Sequence, residues 1–223
     1  MKPTIVFDLD GTLALGDGPI SAYARAIATR IGDDSFGERA TVALIAHAAG
    51  ETSYRDGYHA VATLAAEDRV SAEIVSAAYD DSRALLGTAG ATVSPPEGLS
   101  GFLHGIVEHA SLVLATNAPD AGVTALLEEW AIIDLFDAMH FQVGKPAGLV
   151  PILTAALARG RVLSVGDIHE FDLAPAAELG ADTALVGPAA ARLEVPATMR
   201  GRTIADIYER ISGWATSAPH TAS

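Results

Sequence analysis

Between residues 101 and 186 the chain alternates helical and strand-like segments without a break, and this alternation narrows the available folds more than any other feature. Helical GFLHGIVEHA (101–110) precedes strand-like SLVLAT (111–116). Helical PDAGVTALLEEWA (119–131), short MHFQV (139–143) and helical VPILTAALA (150–158) come next, then strand-like RVLSV (161–165), helical FDLAPAAELG (171–180) and strand-like DTALV (182–186). Short apolar runs bounded by breakers suit strands buried on both faces, while the segments between them carry apolar residues at helical spacing. Strand, crossover helix and strand is the repeat of a parallel sheet, so the predicted fold class is α/β with a doubly wound parallel sheet. A helix over 204–211 closes this region, and the small polar residues from 213 to 223 are expected to form a flexible tail.

The front of the chain is patterned differently. Thr4–Phe7 reads as a short buried strand, and residues 13–18 (LALGDG) as a glycine-punctuated exit from it. Four segments follow, PISAYARAIATRI, FGERATVALIAHAA, YHAVATLAAE and SAEIVSAAYDDSRALL, with breakers at 32–34, 50–53 and 69–71. Each repeats apolar residues at helical intervals, which predicts a four-helix insert. The stretch GTAGATVSPPEG (87–98) supplies the return linker. The expected organisation is a Rossmann-like core from residues 1–14 and 93–212, a helical insert over 15–92, and the tail.

Composition bounds the function. With 223 residues, 50% of them apolar and 19% charged, the chain can bury a full core plus a smaller unit, and disorder over most of its length is excluded. A net charge of −14 with no basic stripe argues against nucleic acid or anionic lipid as a partner, so an anionic substrate would need a local cation. Without cysteine there is neither a disulfide framework nor a thiolate metal site. No run approaches the eighteen or so apolar residues of a membrane span, and residues 1–4 do not resemble the basic start of a secretion signal, so a cytoplasmic location is expected.

Polar residues stand at the carboxyl ends of four predicted strands, where ligands bind in such sheets. Asp8 and Asp10 follow the first, Thr116 and Asn117 follow SLVLA, Lys145 follows HFQVG, and Asp167 and Asp172 lie in GDIHEFD after RVLSV. Each has an ordinary reading. A pair of aspartates can be a solvated turn, Thr116–Asn117 a helix cap, Lys145 a surface lysine, and GDIHEFD an acidic helix start. Yet paired carboxylates after a buried strand cost several kcal/mol each unless something cationic meets them. Lys145 is one of only two lysines among the fourteen Lys and Arg residues.

The four groups, in this order, resemble the motifs of the haloacid dehalogenase-like hydrolase superfamily. DLDGTL matches the first motif, LATN the second, GKPAG the third and VGDIHEFDLAPAAELGA the fourth, although Gly148 stands where the family often has proline. The resemblance covers the core, and the helical insert falls where the family carries its C1-type cap. It implies that Asp8 is a nucleophile forming an aspartyl-phosphate and that Asp10 is general acid and then base. Thr116 would hydrogen-bond the phosphoryl group with help from Asn117, and Lys145 would neutralise that group while orienting Asp8. Mg²⁺ would be held by Asp8, the Asp10 main-chain carbonyl and Asp167, with Asp172 as ligand or supporting partner.

Because the family's dehalogenases lack the second aspartate, Asp10 points to phosphate chemistry. The insert has no lysine for the Schiff base that phosphonate hydrolases of this family use. The resemblance therefore implies a phosphatase acting on a small phosphorylated metabolite. A sugar-phosphate mutase and a non-catalytic binding module remain the alternatives. In the insert, GETSYRDGYH (50–59) corresponds to the loop that reads the substrate in capped relatives, and Arg55 is the candidate reader, since a guanidinium can grip a carboxylate or second phosphate bidentately.

Overall fold

The computed structural model describes residues 2–49, 54–120 and 122–217. Among these, six strands form one parallel sheet: β1 (Thr4–Phe7), β2 (Ser111–Ala115), β3 (Ala138–His140), β4 (Val162–Gly166), β5 (Asp182–Leu185) and β6 (Met199–Arg200). Their order is β3-β2-β1-β4-β5-β6, so β1 is central, with Val6 opposite Val113 on one side and Ser164 on the other. Ile5, Val6 and Phe7 are fully buried, each contributing about 1.5–3 kcal/mol by leaving water. The chain moves outward from β1 through β2 to β3 and then returns to the far side of β1 as β4. That reversal opens a crevice at the carboxyl ends of β1 and β4.

The chain divides into two compact units. The first takes the described residues within Met1–Leu15, Pro95–Asp120 and Leu127–Ser223, and the second those within Gly16–Ser94 and Ala121–Leu126. In the first, the sheet is accompanied by α5 (Leu99–Ile106), α7 (Leu149–Leu157), α8 (Ala174–Glu178) and α9 (Tyr208–Thr216), with α6 (Val123–Glu129) crossing the boundary. Val6, Val113 and Val162 pack in one apolar cluster with Leu149 and Leu153 of α7. A T-shaped contact joins the rings of Phe7 and Phe136, with centroids 6.4 Å apart.

The second unit holds the four-helix insert as α1 (Gly18–Ile31), α2 (Asp34–Ala48), α3 (Gly57–Glu67) and α4 (Ala72–Ala84). Capping residues set three of its starts. Asp33 accepts from the Ser35 amide at 2.9 Å, Asp56 from His59 at 2.6 Å and Ser71 from Ile74 at 3.4 Å. Gly32, at φ +67°, ends α1 in the left-handed region. Ile27, Phe36, Val61 and Ala78 meet in its core. Where the unit begins and ends, a side chain on Gly18 would lie 2.2 Å from the Thr92 carbonyl oxygen, so the outgoing and returning segments run side by side.

Several expectations need correction. Residues 122–126 group with the helical unit rather than the core: a Cβ on Gly87 would touch Leu126, and one on Gly122 would crowd Leu86 and the Arg83 carbonyl. The strand expected at 139–143 is Ala138–His140, because Gln142 adopts φ +48° and turns the chain out of the ladder. β6 was not anticipated, since two residues carry no periodicity. The closing helix begins as a 3₁₀ turn at Ile204–Ile207 and continues as α9 to Thr216, so residues 213–217 are not a frayed tail. Trp214 holds them: its indole N–H donates to Asp182 at 2.8 Å, and the Arg161 guanidinium lies 4.4 Å over its ring. Residues 218–223 and 50–53 lie outside the described residues. Among those described, no helix is long and apolar enough to cross a membrane.

Candidate active site

Asp8 is the first residue beyond β1, and its amide continues the ladder by donating to the Val165 carbonyl at 2.9 Å. The chain then winds into a tight turn in which the amides of Thr12, Leu13 and Ala14 all approach the Leu9 carbonyl, at 3.1, 2.9 and 2.8 Å. Gly11 sits at φ +78°, and a Cβ there would fall 2.3 Å from Oδ2 of Asp167. Glycine is thus required twice over, for backbone conformation and for the Asp167 carboxylate that lies against the turn.

On the other side of β1, Thr116 follows β2. Its amide donates to His140 and its carbonyl accepts from Val143, which fixes the backbone against the end of β3. The Thr116 hydroxyl oxygen accepts the Ala118 amide at 3.0 Å. Its own O–H remains available to donate. Oδ1 of Asn117 accepts the main-chain amide of Lys145 at 2.8 Å, tying the second motif to the third.

Lys145 lies in a loop five residues beyond β3 rather than at a strand end. The loop folds back so closely that a Cβ on Gly148 would meet the Val143 oxygen at 1.6 Å, and the Gly148 amide donates to Gly144 at 3.0 Å. Here glycine, and not the proline of the resemblance, permits the return. From this loop the Lys145 ammonium, its side chain 3% exposed, reaches Oδ1 of Asp8 and Oδ1 of Asp172, each at 2.7 Å. Burial opposes its charge, but Asp8 and Asp172 outweigh that and hold its pKa above the ordinary lysine value.

Asp172 belongs to a π turn over His169–Leu173 that follows β4. Such turns are rare and cluster at functional sites. Oδ2 of Asp172 accepts the Ile168 amide at 3.1 Å while Oδ1 receives Lys145, so both oxygens are engaged. Asp172 is thus in direct contact with Lys145.

Carboxylate oxygens of Asp8, Asp167 and Asp172 lie within 4.8 Å of one another. One ammonium meets these three carboxylates, of which Asp172 is buried and Asp8 and Asp167 half-buried, and this leaves an excess of negative charge. An all-oxygen donor set beside a cradle that any side chain at Gly11 would fill suits a hard divalent cation such as Mg²⁺. Asp10 is not one of these three carboxylates. Asp10, in the turn after β1, bridges to Ala14, and Arg55 sits one residue before the α3 cap with Nε 3.4 Å from Asp56 and its amide on Nδ1 of His59.

Burial pushes the Asp8 carboxyl up; Lys145 opposes this, Asp172 and Asp10 add to it, and the pKa reaches about 7 against an ordinary 3.8. The folded chain without metal thus binds this proton more tightly than the unfolded chain. The Asp8 contribution to stability is full below pH about 4, declines as pH rises and is lost above about 7. Asp8→Asn removes the titrating group, so in EDTA at pH 8 it is expected to stabilise the chain by about 1–3 kcal/mol, with the gain gone by pH 4. Thermal unfolding across that range checks this, and equal midpoints at pH 8 would contradict it.

No protein-family model matches the sequence, and no curated protein does. Solved structures match the fold. YfnB from Bacillus subtilis, assigned as a HAD-hydrolase and crystallised with magnesium, superposes at a TM-score of 0.65 with 13% identity, over 94% of this chain and 98% of that one. A HAD phosphatase from Thermococcus onnurineus gives 0.59 at 16% identity, over 95% and 98%. L-2-haloacid dehalogenase from Xanthobacter autotrophicus gives 0.57 at 16% identity, over 96% and 99%. The chain has the haloacid dehalogenase-like fold, a Rossmann-like α/β core with an inserted helical unit.

Proposed function

We propose that the protein is a Mg²⁺-dependent phosphomonoester hydrolase that acts on a small phosphorylated metabolite through an aspartyl-phosphate on Asp8. The observation that carries this reading is the buried Lys145 ammonium bridging Asp8 and Asp172 at 2.7 Å each, beside Asp167. An Asp8 oxygen attacks phosphorus as the ester P–O bond breaks, and Asp10 gives its proton to the departing alkoxide. Asp10 then takes a proton from water, which attacks phosphorus and releases phosphate from Asp8. Thr116 donates its hydroxyl proton to a phosphoryl oxygen, and Lys145 keeps the Asp8 oxygen aimed. Asp8, the Asp10 carbonyl and Asp167 hold Mg²⁺, which when bound supplies positive charge to the phosphoryl group. Asp10 favours this reading over carbon–halogen cleavage, which has no alkoxide to protonate.

Release of phosphate from a chromogenic phosphomonoester tests the proposal. EDTA is expected to stop it, Mg²⁺ to restore it, and Asp167→Ala to raise the Mg²⁺ requirement. Full rate in the stripped enzyme would remove the metal assignment. Chloride released from a 2-haloacid in place of phosphate would turn the reading to dehalogenation.

Within the insert we assign Arg55 as the reader of a second charged group on the substrate. Arg55→Ala is then expected to lower kcat/KM for a carboxylated phosphoester by about 30-fold, while an uncharged aryl phosphate is nearly unaffected. Equal losses on both substrates, or none on either, would withdraw the assignment.

A further inference from the structure

Ser164 is the one polar side chain in the middle of β4, between Leu163 and Val165, and it is 2% exposed. A hydroxyl in that position would be unfavourable without a partner. It has one: Oγ donates to the main-chain carbonyl of Asp172 at 2.7 Å. Gly166, two residues on, projects to the same face of the strand. A Cβ on Gly166 would lie 2.3 Å from the Cβ of Asp172. One face of β4 is therefore shaped for a single residue of the π turn, with a donor for its carbonyl and an absent side chain where its own side chain rests. From this seat Oδ2 of Asp172 reaches the Ile168 amide and Oδ1 reaches Lys145, whose ammonium also holds Asp8.

We infer that Ser164 is a positioning residue for the reaction: its hydroxyl pins the π turn so that Asp172 directs Lys145 onto Asp8. The inference rests on the reading of Asp8 and Lys145 as the phosphoryl-transfer pair. Ser164 lies outside the four motifs, under the sheet end rather than in the crevice, and acts through three links: hydroxyl to carbonyl, carboxylate to ammonium, ammonium to nucleophile. A serine chosen only for its small size would be replaceable by alanine without effect on chemistry, and this separates the two roles.

The experiment is a double-mutant cycle in the full chain with Ser164→Ala and Asp172→Asn, read by turnover of a chromogenic phosphomonoester at saturating Mg²⁺. A second measurement follows amide hydrogen exchange at Ile168. Ser164→Ala is expected to lower kcat about five- to tenfold, the scale of one hydrogen bond, with KM within about twofold of the parent. In the Asp172→Asn background the same change should have less than about a twofold effect, because the link it acts through is already broken. Exchange at Ile168 should quicken in Ser164→Ala. Unchanged kcat in Ser164→Ala, or losses that simply multiply in the double variant, would overturn the inference. If the parent hydrolyses no phosphomonoester, the proposed function fails by that result alone. Exchange at Ile168 then decides the coupling: quickened exchange supports the link from Ser164 to the Asp172 carboxylate, and unchanged exchange removes it.

Discussion

Asp8→Asn is expected to lower turnover by at least about 10³-fold and to abolish acid-stable phosphoryl labelling of the chain in the same step. An amide lacks the anionic oxygen that attacks phosphorus, and it offers Lys145 a weaker acceptor at the 2.7 Å contact. The fold should survive, since Lys145 keeps Asp172 and the substituted group no longer carries a charge that burial disfavours. Loss of both signals in a chain of undiminished thermal stability would mark a missing nucleophile. Labelling that persists in the variant, or activity above a trace, would refute the covalent route through Asp8.

Lys145→Ala should lower kcat about 10²- to 10³-fold even at saturating Mg²⁺, because the reacting oxygen of Asp8 loses the fixed charge that aims it. It should also destabilise the chain, since Asp8 and Asp172 would be left facing each other without their shared cation; breaking a buried pair in this way costs about 3–5 kcal/mol. Lys145→Arg separates the two effects. A planar guanidinium keeps the charge and should recover much of the stability. It should recover little of the rate, because it cannot put one compact ammonium between the two carboxylates. Steady-state kinetics beside thermal unfolding checks both. Unchanged turnover in Lys145→Ala would return Lys145 to a purely structural role.

The parallel α/β core was legible because four of its strands, β1, β2, β4 and β5, are largely apolar runs of four or five residues separated by helical spacing, and the insert because each of its helices has a clear period and most have a capping residue. Legibility failed where short-range pattern carries no information. Two-residue β6 is specified by its neighbour β5, and the position of α9 by Trp214, whose partners Asp182 and Arg161 lie far away in sequence. In the candidate site, Asp8, Thr116 and Asp167 each stand just beyond a strand, where the alternation of the sequence puts them, whereas Lys145 is brought in by a folded loop that depends on Gly148 and Asn117. Ser164 left one visible trace, a hydroxyl inside an otherwise apolar strand. That trace becomes interpretable only when the π turn it supports is seen.

The central position of β1 also orders events during synthesis. Both of its neighbours are distant along the chain, since Phe7 pairs with Leu114 and with Val165, so the strand made first must wait for partners made much later. The helices of the insert have their packing partners within one continuous stretch and can associate as soon as it leaves the ribosome. Closing the sheet on both sides of β1 requires more than 150 residues of chain, and until then the segment leading to Asp8 can have a partner on one side at most. Asp8, Lys145 and Asp172 therefore come together only when nearly the whole core is present. A nascent chain cut short before β4 would carry an assembled helical unit and all of the first motif, yet no site.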